Sequence, residues 1–112
     1  MPDFAKTYGT LVIQPIDLIN AFKLDFCFAS VIKWLTKWHM EKKYEDILKA
    51  KYYSKLCYDI EPSNPLKFAL RMYCQLNGFL AEGCSSCLLM DVTSSIMEGN
   101  TEHANALLNN AQ

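Results

Sequence analysis

The sequence predicts an all-α domain: a compact bundle of five or six helices packed as helical hairpins, behind a short irregular or extended N-terminal segment. Three observations carry that expectation. Apolar residues recur at steps of three and four through most of the chain. Helix-start and helix-stop residues punctuate those stretches at short intervals. The one stretch with strand character, residues 10–13 (TLVI), has no partner strand, and an isolated strand is not stable.

The elements follow in order. Pro15 suits the first turn of a short helix running to about Lys23. Asp25 is the expected N-cap of a second helix over residues 26–40, whose apolar positions Phe28, Val31, Ile32, Leu35 and Trp38 keep the helical period. Residues 41–43 form a basic turn. A third helix is expected over residues 44–60. The run Pro62, Ser63, Asn64, Pro65 is a break, with Asn64 as cap and Pro65 as first residue of a fourth helix. That helix carries Leu66, Ala69, Leu70, Tyr73, Leu76 and Leu80 as its core stripe, and Gly83 ends it. Ser85 or Ser86 caps a fifth helix reaching Gly99, with Leu88, Leu89, Val92 and Ile96 as its apolar face. Asn100 or Thr101 caps a short last helix through Leu107 and Leu108. Residues 1–112 make a single domain. Residues 7–60 form a basic helical hairpin, and residues 64–110 supply the helices that complete the core.

Composition fits one globular domain: 112 residues, 51% hydrophobic and 21% charged. Net charge is −1, but it is unevenly spread. Residues 33–55 hold seven lysines (33, 37, 42, 43, 49, 51 and 55) against Glu41, Glu45 and Asp46, a local +4. Residues 56–112 hold Lys67 and Arg71 against six acids, a local −4. Such a molecule presents one basic face to an anionic partner while staying near neutral. Five cysteines, an odd count, with no signal-peptide pattern and no long apolar run, point to a reducing cytoplasm and to no membrane span.

Between residues 7 and 58 the chain resembles a family of small bacteriophage proteins of uncharacterised function. Their module also occurs at the C-terminal end of podophage nucleotide kinases. The family pattern runs H-Y-x-x-G-x-I-E-x-I-D-x-I, then L-D-F-x-x-G-N-x-I-K-Y, a basic turn, and E-D-L-x-K-A-x-x-Y. Tyr8 and Gly9, residues 13–19 (IQPIDLI), Leu24, Asp25 and Phe26, residues 31–34 (VIKW), residues 45–50 (EDILKA) and Tyr53 carry the likeness. Thr7 stands where the family has His, Gln14 where it has Glu, and Ala29 and Ser30 where it has Gly-Asn. If those polar residues serve an activity, this chain has lost much of it. The resemblance implies a phage accessory protein working in the cytoplasm of an infected bacterium, or a nucleotide-binding module.

The residues themselves point to a binding face. Asp46, Lys49 and Tyr53, spaced three and four apart, share one side of the third helix. With Lys33 and Lys37 they would line a polar groove where ammonium groups draw a phosphate or nucleotide, and Trp34 or Tyr53 offers a stacking face. The plain alternative is a solvated helix face with weak Asp–Lys pairs. Trp34 and Trp38 read either as core packing with a rim or as an interface hot spot.

Signatures of chemistry are incomplete. Cys84 and Cys87 form a CxxC, half of a zinc site; His103 is the one downstream candidate, and His39 and Cys74 would have to be recruited from afar. The redox reading of CxxC needs a βαβ context that the pattern lacks. A helix N-terminus there would lower a thiol pKa. No catalytic triad is readable from spacing, no glycine loop cradles phosphate, and Glu45 and Asp46, being adjacent, diverge by about 100° on a helix. The ExxE pairs that would hold Mg²⁺ in a helical pyrophosphatase are missing. A helix-turn-helix reading sets Glu45 and Asp46 toward phosphate, which is unfavourable.

The expectation is therefore a non-catalytic accessory protein that binds and modulates a host protein or complex, in host takeover or in blocking a defence system. The candidate contact residues are Lys33, Trp34, Lys37, Trp38, Asp46, Lys49 and Tyr53. No catalytic residue, metal or cofactor is assigned. The alternatives are a nucleotide-binding module and a small nucleic-acid-binding protein. A homodimer fits any of these.

Overall fold

The first helix, α1 (Pro15–Phe22), begins with proline in its opening turn and stops at Lys23, whose left-handed φ of 51° ends the spiral. Two residues later the Asp25 carboxylate accepts the Phe28 N–H at 3.0 Å and starts α2 (Phe26–Glu41). Lys42 closes α2 in the left-handed region, its N–H donating to the Trp38 carbonyl at 2.7 Å. One residue on, α3 (Tyr44–Leu56) returns antiparallel. This computed structural model describes residues 9–111. Residues 1–8, which include Thr7 and Tyr8 and most of the expected irregular segment, lie outside the described residues.

The second half contains α4 (Asn64–Leu76), α5 (Leu88–Met97) and α6 (Thr101–Asn110). The six helices form a bundle with no strand among the described residues. The α2–α3 hairpin packs through α2 on α5 and through α3 on α6, while α5 and α6 make a second hairpin. The Cα radius of gyration, 12.9 Å, matches about 13 Å for a compact chain of this size. Phe28, Val31, Ile32 and Leu35 of α2 meet Ile47 and Ala50 of α3, Leu70 and Tyr73 of α4, Leu89 and Val92 of α5, and Leu108 of α6 in one fully buried core. Among the described residues, no helix is long and apolar enough to cross a membrane.

Four boundaries differ from the sequence reading, each for a local reason. The third helix ends at Leu56, not at residue 60. Cys57 turns inward in extended backbone, and Asp59 takes a left-handed φ of 56°. Ser63 rather than Asn64 caps α4, its hydroxyl accepting the Leu66 N–H at 3.2 Å, so that Asn64 and Pro65 both sit in the first turn. The same helix stops at Leu76. Gly78, at a φ of 79°, unwinds the chain well before Gly83, and the Phe79 N–H folds back onto the Cys74 carbonyl at 2.8 Å. Cys87, not Ser85 or Ser86, occupies the N-cap of α5, while the Ser86 hydroxyl bonds the Asp91 carboxylate.

Residues 10–13 form no strand. The Asn77 side chain takes the place of a partner: its Oδ1 accepts the Val12 and Ile13 N–H groups at 2.9 and 3.0 Å, and its Nδ2 donates to the Ile13 carbonyl at 3.0 Å. One amide thus satisfies three backbone groups that a sheet would otherwise have paired.

Candidate functional site

The outer seam of the α2–α3 hairpin gathers four of the seven candidate residues around one ring. The ammonium groups of Lys33, Lys37 and Lys49 lie over Trp34, at 4.8, 5.2 and 4.2 Å from its centroid. The helical period explains the convergence. Lys33 and Lys37 flank Trp34 on α2, and Lys49 faces it from α3. Each cation gains from the ring quadrupole, yet the three repel one another. Among the described residues the one ion pair is Lys43 with Glu41, at 3.8 Å, so no carboxylate closes on the cluster.

Asp46 lies beneath this face rather than on it. Its side chain is buried, and its Oδ2 has no hydrogen-bond partner. Burial pushes its carboxyl above the usual range, and Lys37 and Lys49 pull the other way. Tyr53 sits farther along the hairpin, with its ring edge-on to Phe26 (centroids 5.7 Å apart) and beside Tyr52 (5.2 Å). Trp38 belongs to a different group, carrying the Lys42 ammonium at 3.9 Å and meeting His39 edge-on at 5.0 Å. Both tryptophans are half-buried against the core.

Beside the lysine cluster runs a feature that sequence reasoning missed. Tyr44, Leu48, Tyr52 and Leu56 stand four apart on α3 and are all exposed, from 44% to 61%. At 100° per residue, four-residue steps drift by only about 40°, so these side chains make one slanting apolar ridge. Lys49 borders it on the side of α2, and Lys55 lies on the opposite margin. The signal was in the sequence, but α3 has apolar residues on both faces, and the period alone does not say which one is covered. Phe26, 71% exposed, extends the apolar surface across to α2. Of these residues only Lys55 lines a cavity, the one of about 580 Å³ beside residues 57–60; the one of about 360 Å³ between α4 and α5 takes none of them.

A second group of side chains meets inside the fold. Cys87, at the start of α5, lies near Cys74 of α4 and His39 of α2, and these neighbours hold its thiol below the ordinary range. His39 is held in place: its ring stacks on Phe79 (4.8 Å, 9° between planes), and its Nε2 accepts the Leu89 N–H at 3.4 Å. Cys84, the other half of the CxxC, is exposed. Among the described residues, no three His, Cys, Asp or Glu side chains are placed to hold a metal ion. No family model, curated protein or solved structure matches the chain.

Proposed function

We propose that this is a non-catalytic interaction protein whose α2–α3 face docks on an acidic partner protein. The observation that carries the reading is the ridge of Tyr44, Leu48, Tyr52 and Leu56 lying beside three ammonium groups on Trp34. Apolar anchors bordered by charge are the anatomy of a protein–protein contact, in which aromatic residues supply energy and rim charges supply steering. In the phage setting that the resemblance implies, the partner is a host protein or complex, and covering its surface modulates it.

A nucleotide-binding module is the second reading. The ammonium cluster favours it, since that is the chemistry of a phosphate site. Against it, the protein's own lysines already lie over the Trp34 ring, where a base would stack.

Affinity capture from infected-host lysate tests the first reading, with Lys33→Glu/Lys37→Glu and Leu48→Ser/Tyr52→Ser as the two face variants and Glu102→Gln on α6 as control. A specific protein retained by wild type and control, and lost by both face variants, supports it. Capture unchanged by either face variant overturns it. Sedimentation of the free protein shows whether the ridge instead pairs with a second copy. Calorimetric titration with mono- and dinucleotides, silent with wild type, sets the nucleotide reading aside.

A further inference from the structure

The second half of the chain is acidic, yet its two basic residues stand together. Lys67 and Arg71 are the only Lys or Arg among residues 56–112, against six acids. They lie four apart on α4, so one face of that helix carries both. That face lines the cleft of about 360 Å³ between α4 and α5. Among the described residues neither closes an ion pair, so neither charge is neutralised within the fold.

The rest of the lining divides into an apolar part and one carboxylate. Leu70, Met90 and Met97 give the cleft an apolar floor, with Leu70 and Met97 almost fully buried. Methionine side chains reshape around an apolar body at little cost. Phe68 stands at the same cleft with 66% of its surface open to solvent, and covering its ring is a gain that the free protein lacks. Asp91 faces the cleft from α5, and its carboxylate accepts the Ser86 hydroxyl. Two cations against Asp91 leave the lining at +1. A monoanion closes that balance, whereas a dianion overshoots it and meets a like charge.

We propose that the α4–α5 cleft binds an amphipathic monoanion, a carboxylate on an apolar body. Its volume falls in the range of about 300–1,000 Å³ that small-molecule sites occupy. At about 30 Å³ for each water-sized unit, it holds about a dozen non-hydrogen atoms. The Arg71 guanidinium takes the carboxylate in a two-pronged contact, and Lys67 adds a point charge one turn away. The apolar body covers Leu70, Met90 and Met97 and shields the Phe68 ring. The cleft shares no residue with the α2–α3 face, so this site stands or falls independently of the docking reading.

The test is titration of the ¹⁵N-labelled full chain with sodium octanoate at about pH 7, read from backbone amide shifts. Octanol is the neutral comparison probe. Octyl phosphate is the other, carrying about −1.5 to −2 at that pH. Saturable shifts are expected at residues 66–71 and 86–97, with octanoate binding at least about fivefold tighter than either comparison probe. Arg71→Gln and Lys67→Gln are each expected to weaken octanoate by about tenfold, the loss of one hydrogen bond to a charged group. Lys23→Gln, at an exposed lysine after α1, is expected to leave it within about twofold. Asp91→Asn is expected to narrow the gap between octanoate and octyl phosphate, because the carboxylate that opposes the second charge is gone. No saturable shift, shifts centred on Trp34 and its lysines, equal binding of octanol, or tighter binding of octyl phosphate by wild type overturns the proposal. The three wild-type titrations decide it even where a variant fails to fold.

Discussion

The hydroxyls of Thr36 and Tyr73 meet at 2.8 Å in the middle of the core, with neither residue exposed to solvent. Thr36 gives its own proton to the Ile32 carbonyl at 2.7 Å, so Tyr73 donates in the bond between them. This polar tie joins α2 to α4, two helices that share few other contacts, and it fixes the ring that borders Phe79.

Tyr73→Phe is therefore expected to destabilise the fold by about 1 kcal/mol, the net value of a typical buried hydrogen bond. Thr36→Val is expected to cost about 1–3 kcal/mol, because it takes this acceptor from a buried hydroxyl. The double variant should lose less than the sum, since one bond accounts for both. Urea unfolding of the four proteins measures the cycle.

Asp46 makes a prediction of unusual sign. A carboxyl held above its usual range keeps its proton longer in the native state than in the unfolded chain. Native protein then binds more protons between the ordinary carboxylate range and the raised one. Stability contributed by this group is full below that window and falls as pH rises through it. Asp46→Asn removes the fall. Its stability relative to wild type should improve as pH rises from about 4 toward 7, as read by urea midpoints across that range. The same change removes a carboxylate that interacts with Lys37 and Lys49, so capture of an acidic partner should strengthen.

Asn77→Ala removes three hydrogen bonds to Val12 and Ile13. The expected outcome is local: hydrogen exchange at those two amides should accelerate by at least about tenfold, while the core amides of α2 keep their protection. Equal acceleration throughout would show that the tie stabilises the whole domain.

Gly78→Ala tests where α4 ends. A Cβ there meets nothing within 4 Å, so only the backbone angle resists it. A non-glycine residue at a φ of 79° costs about 1–2 kcal/mol. Gly78→Asn should cost less, because asparagine tolerates the left-handed region better. Thermal unfolding distinguishes the two.

Much of the first hairpin was legible from the sequence because its determinants are local. Pro15, Asp25 and the basic turn place α1, α2 and the start of α3 where their spacing said. The lysine–tryptophan cluster follows from the same short-range periodicity. The ends of α3 and α4 were not legible. Both helical periods run on past the true stop; α3 breaks at Cys57, which turns extended ahead of the left-handed Asp59, and α4 breaks ahead of the left-handed Gly78. The thiol group was the least legible feature. His39 of α2, Cys74 of α4 and Cys87 at the start of α5 come near one another only once three helices have packed. The exposed ridge on α3 was hidden for a different reason, since which apolar face is covered depends on where α2 and α6 settle.

Asn77, Gly78 and Phe79 are consecutive, and each has a different task. The first grips residues 12 and 13, the second reverses the chain, and the third stacks on His39. One short turn therefore ties residues 12 and 13, the end of α4 and the His39 ring to the same three residues of backbone.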